Sequence, residues 1–91
     1  MATKSTYQIQ QMLNWPEWKE YETSEIEHIA DNVAGFMITE HPEIPVRILE
    51  IKCKNGKPFG IKEYGMNPPH CSNNGLPPRG PEKYLRGYIE L

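Results

Sequence analysis

No apolar run in this sequence approaches the roughly 20 residues that a membrane-spanning helix needs, which removes such helices from consideration. The start of the chain, Met1-Ala2-Thr3-Lys4-Ser5, has no apolar stretch of the secretory type, so a cytoplasmic location is expected. Cysteine is scarce. Cys53 and Cys71 lie 18 positions apart, and without an export signal they are expected to be reduced thiols and not a disulfide framework. Neither belongs to a paired metal-ligand motif, so no metal and no cofactor are expected. No internal repeat and no dividing linker occurs, and residues 1–91 are read as a single domain.

What is present suffices for one core. Of the 91 residues 37% are hydrophobic and 24% charged, with two Trp, five Tyr and two Phe, the composition of a small globule and not of a disordered chain. Charge is divided unevenly. In residues 1–44, Lys4 and Lys19 face eight carboxylates for a net −6, while residues 45–91 carry eight cations against four carboxylates for a net +4. Such asymmetry bears on partners and association rates and not on fold.

The acidic half reads as helix. Ser5-Thr6-Tyr7-Gln8 matches a capping box, and Ile9, Met12 and Leu13 follow at helical spacing until Pro16 ends the segment. Pro16 to Tyr21 can form a further turn, with Trp15, Trp18 and Tyr21 three apart. Ser24-Glu25-Ile26-Glu27 is a second capping box, followed by Ile26, Ile29, Ala30, Val33, Phe36 and Met37 at helical spacing up to about Thr39, before Pro42.

The basic half reads as strand. Leu49, Ile51 and Cys53 alternate with Glu50, Lys52 and Lys54, and Asn55-Gly56 marks a hairpin into Phe59 and Ile61. A bulged turn that pairs Cys53 with Phe59 and Ile51 with Ile61 keeps both apolar sets on one face and sets Glu50 opposite Lys62. A last strand is expected where Leu85, Ile89 and Leu91 alternate with Tyr84, Arg86, Tyr88 and Glu90. Before it runs a proline-rich loop, Met66 to Glu82, with five prolines and two glycines in 17 residues. The expected fold is α+β, with two or three N-terminal helices packed on one face of a small, about three-stranded antiparallel sheet. Its expected core is Ile29, Val33, Phe36, Met37, Leu49, Ile51 and Ile61.

Four features could carry function, each with a plainer reading. Lys52, Lys54 and Lys62, with Arg47, form a basic sheet face suited to phosphates, beside Tyr64, Tyr84 or Tyr88 for stacking on bases; lysines on a wet strand also simply solubilise it. His70 and Cys71, with Cys53, offer zinc-type ligands at a spacing that fits no finger or knuckle. Trp15, Trp18 and Tyr21 are either a lid over the sheet or a docking patch, whose acidic surround of Glu17, Glu20 and Glu22 favours a basic partner or a second copy of the chain. The Pro68-Pro69 and Pro77-Pro78 loop, with His70 and Arg79, either binds or merely braces the crossing to the last strand.

No oxyanion hole and no oriented nucleophile is legible, and no catalytic residue is assigned. The expected function is a non-enzymatic protein-interaction or regulatory module, a homodimer or part of a complex. Its binding residues are Trp15, Trp18, Tyr21, Lys52, Lys54, Lys62, His70, Arg79, Tyr84 and Arg86. Self-association is expected through the last strand's edge or the Trp15–Tyr21 segment. An RNA or single-stranded nucleic-acid binder is the alternative, and a small enzyme ranks third.

Overall fold

The computed structural model describes residues 3–69 and 80–91. Strands Thr3–Asn14 (β1), Glu17–Ser24 (β2), Val46–Lys54 (β3), Lys57–Asn67 (β4) and Glu82–Glu90 (β5) form one antiparallel sheet, with Glu27–Glu40 (α1) the single helix among the described residues. Strand order is β2-β1-β3-β4-β5, so β3 is central and α1 returns the chain from the β2 edge to the middle of the sheet. The expectation of two or three N-terminal helices on a three-stranded sheet is therefore overturned: the architecture is mostly β. No helix among the described residues is long and apolar enough to cross a membrane.

The correction lies in the first 24 residues. Ile9, Met12 and Leu13 match a helical spacing only locally. The same stretch holds Thr3, Thr6, Tyr7 and Ile9, residues that fit a pleated surface, with Tyr7 and Ile9 alternating against Gln8 and Gln10. Pairing decides between the two. β1 bonds to β2 on one side and to nine residues of β3 on the other, Thr3↔Lys54 through Gln11↔Val46, and that ladder outweighs a weak local preference. Trp15-Pro16 is the hairpin tip between Asn14 and Glu17, with a cis peptide bond. Proline at a tip removes no ladder donor.

The helix forms where its apolar spacing places it, but starts late. Ser24 is still paired with Tyr7, and its hydroxyl accepts from the Ile26 N–H at 3.1 Å as the chain turns into α1. It therefore does not act as the expected capping box, and the first turn begins at Glu27. The buried face is also rotated. Ala30, Ala34 and Ile38 lie against the sheet and Gly35 is buried beside Pro81, while Phe36 is 67% exposed and Ile29 is 40% exposed. Small side chains let the helix approach closely, and the bulk comes from the sheet: Tyr7, Ile9, Val46, Ile48 and Met66 fill the core, with Val33, Met37 and Tyr64 packed at its margin.

β3 is apolar on both faces, and the helix covers the face that sequence spacing did not select. Val46, Ile48 and Glu50 point toward α1, so Leu49, Ile51 and Cys53 point away from it, with Ile61 directly across from Ile51 and Ile89 across from Ile61. The expected core thus splits between a helix flank and the opposite side of the sheet. Glu50, expected to be wet, is buried.

At the second hairpin the turn itself is tight. Asn55 and Gly56 both take positive φ, 54° and 79°, as a two-residue hairpin turn requires, and Cys53 pairs with Pro58 and not with Phe59. One step further, Phe59 is bulged out, which restores Ile51↔Ile61 and Glu50↔Lys62. The register beyond the turn is the expected one, and only the site of the extra residue differs. In β5 a second bulge at Arg86, between Tyr64↔Leu85 and Glu63↔Gly87, turns Leu85 toward the helix side and Ile89 away from it.

These placements make a direct prediction for unfolding by denaturant. Ile48→Ala, at a site with no exposed surface, should cost about 2–5 kcal/mol. Phe36→Ala should stay within about 0.5 kcal/mol of wild type, as exposed substitutions do. Equal losses at the two positions would show that the helix is docked in another rotation.

Candidate functional site

On the side of the sheet away from α1, one chain of polar contacts crosses all five strands. Glu20 (β2) accepts from Gln8 Nε2 at 2.7 Å, Gln8 accepts from Gln10 Nε2 at 2.6 Å, and Gln10 (β1) accepts from Arg47 Nε at 2.7 Å. Arg47 (β3) donates in turn from Nη1 to Glu63 Oε2 (β4) at 2.9 Å, and Arg86 (β5) brings its Nη1 to 3.9 Å from the same oxygen. The rows Gln10↔Arg47↔Gly65↔Tyr84 and Gln8↔Leu49↔Glu63↔Gly87 explain the reach, because side chains opposed on one face lie close enough to bond. The relay is acidic at the β2 edge and basic at the β5 edge.

Aromatic side chains flank it. The Arg47 guanidinium stacks 4.3 Å from the centre of the Trp18 ring, a cation–π contact to a group already held by two acceptors. Tyr84 lies flat across β4 because Gly65 has no side chain: a Cβ there would meet the Tyr84 ring 2.5 Å away. Met12, Trp15, Trp18, Arg47, Tyr84 and Arg86 thereby enclose a groove of about 430 Å³. Trp15 at its mouth is 85% exposed. Beside the groove the same face continues as an apolar field, Leu49, Ile51, Ile61 and Ile89, the last of these exposed.

The residues singled out from sequence are distributed over three places. Trp15, Trp18, Tyr84 and Arg86 come together around this groove. Tyr21 does not join them. It lines a separate apolar pocket of about 320 Å³ with Phe36, Met37, Ile44 and Val46 on the helix flank. Lys52 and Lys62 do not form a basic face with Arg47 either. They lie on the helix side around Glu50, with Lys52 Nζ 4.0 Å from its carboxylate and Lys62 directly opposite it, while Lys54 sits by the hairpin tip. His70 and Arg79, like Cys71, fall outside the described residues. Glu63 is the addition, and Arg47, expected on a basic face with the lysines, is instead its partner. Each is an ordinary strand charge in the sequence, and only the β3–β4 register brings them together.

The helix side carries its own charged cluster, which ties β5 to α1. Lys83 Nζ donates to Asp31 at 2.9 Å and to Glu27 at 3.0 Å and lies 4.6 Å from the centre of the Tyr64 ring. Burial works against the Lys83 charge, but the bonds to Asp31 and Glu27 outweigh it and raise its pKa above the usual lysine value. The same ammonium lowers the Glu27 carboxyl, mainly through its hydrogen bond. Tyr7 and Tyr64 are raised above the usual phenol value, first by burial and then by the Glu50 charge. Tyr64 donates to Glu50 at 3.4 Å and Tyr7 to Glu27 at 3.4 Å, so the group is internally satisfied. Among the described residues no three His, Cys, Asp or Glu side chains gather in a way that could hold a metal ion.

Fold and face together define a class of architecture: a five-stranded antiparallel sheet with one helix on one side and a polar-aromatic groove on the other. Compared with protein-family models, with curated proteins and with solved structures, the chain matches none.

The Lys83 cluster makes a pH prediction. A carboxyl whose pKa is lowered by folding adds stability that is complete above its unfolded value and disappears as pH falls through its folded value. The Glu27 contribution should therefore be present above its ordinary 4.5 and lost below it. Lys83→Met should lower stability at neutral pH and flatten the decline between neutral pH and about pH 3, measured by urea unfolding. Parallel pH profiles for variant and wild type would show that the ion pair does not couple to folding.

Proposed function

We propose that this protein is a non-enzymatic protein-interaction module whose docking surface is the sheet face opposite the helix. The observation that carries the reading is the pairing of a groove built from Trp, Tyr and Arg side chains with an aliphatic field on the same face that no described element covers. Those three residue types dominate the energetics of protein interfaces, since they offer large rigid surfaces with polar ends. The polar relay supports the same reading. Arg47 is already paired by Glu63 and Gln10, so covering it leaves no unpaired charge. The location expected of such a module remains cytoplasmic.

Nucleic-acid binding is less well supported by this geometry. Of the lysines expected to collect phosphates, Lys52 and Lys62 surround Glu50 on the other side of the sheet, and the aromatic face itself carries Glu20 and Glu63. A phosphate backbone needs unpaired cations there. An enzymatic reading lacks a convergent set of titratable groups: the Glu27, Asp31, Glu50 and Lys83 cluster is bonded to itself and to Tyr7 and Tyr64.

Replacing Ile51 by Lys and Ile61 by Glu tests the proposal. Circular dichroism of this variant should match wild type, since neither residue lies in the helix-side core. In cell extract and at several hundred micromolar as purified protein, wild type should sediment in an assembly and the variant as a free chain. Identical sedimentation of the two in both settings would contradict docking at this face. Sub-micromolar binding of wild type to a single-stranded oligonucleotide at about 0.15 M salt would favour the nucleic-acid reading instead.

A further inference from the structure

We infer that the partner seated on the open sheet face is a second copy of this chain, stacked face to face with its two-fold axis along β3. This rests on the open face being a docking surface and adds what occupies it. An antiparallel sheet with an apolar face needs a second layer over it, and α1 supplies that layer on one side only. The molecule is correspondingly flat, 50 × 29 × 20 Å. A second sheet is a layer of the right shape, because stacked sheets keep their strands within about 30° of each other and sit about 10 Å apart.

The charge order along the relay selects both the partner and the axis. Glu20 is on the β2 edge, Arg86 is on the β5 edge, and β3 lies midway between them. Rotation by a half turn about an axis along β3 exchanges the two edges. Glu20 of one protomer then meets Arg86 of the partner subunit, and its own Arg86 meets the partner subunit's Glu20. Leu49 and Ile51, on the axis, pack against their own copies, and so does Arg47, whose charge is already held within each protomer by Glu63 and Gln10. A half turn about the other in-plane axis, across the strands, would instead set Glu20 over Glu20 and Arg86 over Arg86. Like charges opposed at both exposed edges of an interface repel with no compensating pair between the protomers, so that arrangement is rejected. The face is thus complementary to itself in one orientation, which is what an isologous dimer requires.

The edges are poorer sites for self-association. β2 presents Glu17, Glu20 and Glu22, and β5 is broken by its bulge at Arg86, two devices that discourage edge pairing. The face is also large enough. Five strands about 4.8 Å apart and seven residues of about 3.4 Å each span on the order of 550 Å² per protomer, or about 1,100 Å² for the pair. That clears the roughly 1,000 Å² expected of a specific interface.

Sedimentation equilibrium of the full chain with a charge swap tests the inference. Both side chains are exposed, so Arg86→Glu and Glu20→Arg should leave circular dichroism unchanged. Wild type should dimerise in the micromolar range, and each single variant should dissociate at least about tenfold more readily because it opposes like charges twice. The double variant should return to within about threefold of wild type, since exchanging both signs restores the match. Three outcomes would overturn the inference: a wild-type monomer at several hundred micromolar, a dimer indifferent to the single swaps, or a double variant as weak as the singles. If purified wild type is monomeric while the Ile51→Lys, Ile61→Glu variant still changes sedimentation in extract, the face docks a different protein. The homodimer then fails and the interaction module stands.

Discussion

Among the described residues one helix of 14 residues covers a sheet of five strands that is apolar on both faces, and the rest of the structure depends on that shortage. α1 packs on β1 and β3 and reaches β2 and β4 at its margins, and the largest fully buried side chains, Ile9, Ile38 and Ile48, are all beneath or within it. Small residues at the contact, Ala30 and Ala34, bring the helix down onto the bulky sheet residues, and Gly35 lets Pro81 approach beside them. Nothing among the described elements performs the same service on the other side. Leu49, Ile51, Ile61 and Ile89 are left to shield one another across β3, β4 and β5.

The uncovered face is made tolerable to water by its polar half. Gln8, Gln10, Arg47 and Glu63 occupy positions where a two-faced core would place further aliphatics, and each is bonded to its neighbour on the next strand. Such a relay also disfavours other registers, because a slip of one residue between β3 and β4 would send Arg47 and Glu63 to opposite faces. Arg47 at the middle of the relay is held by Gln10 and Glu63, so it can be wet or covered without being left unpaired.

Local signals in the sequence were reliable where local chemistry decides. Asn55-Gly56 marks its hairpin, Ile51↔Ile61 and Glu50↔Lys62 follow from keeping apolar residues together, and the last strand lies where its alternation puts it. The β1–β2 hairpin was not legible. Ser5 to Gln8 imitates a capping box, the glutamines are good helix formers, and the partner that makes β1 a strand is β3, some forty residues away. The face of the helix was misjudged because alanine and glycine contribute little to an apolar pattern yet decide how closely two elements approach. Trp15, Trp18, Tyr84 and Arg86 could be named from residue type alone. Their convergence, and the part of Arg47 and Glu63 in it, depends on a register of three strand pairs that periodicity does not contain.

Methyl resonances in the presence of a soluble paramagnetic agent test the central claim most directly, namely that the helix covers the Ile9 and Ile48 side of the sheet and leaves the Ile51 and Ile61 side open. At concentrations low enough for the chain to be monomeric, the methyls of Ile51, Ile61 and Ile89 should broaden strongly, and those of Ile9, Ile38 and Ile48 should remain sharp. Sharp Ile51 and Ile61 signals beside broadened Ile9 and Ile48 signals would contradict the account, because the helix would then lie on the other face.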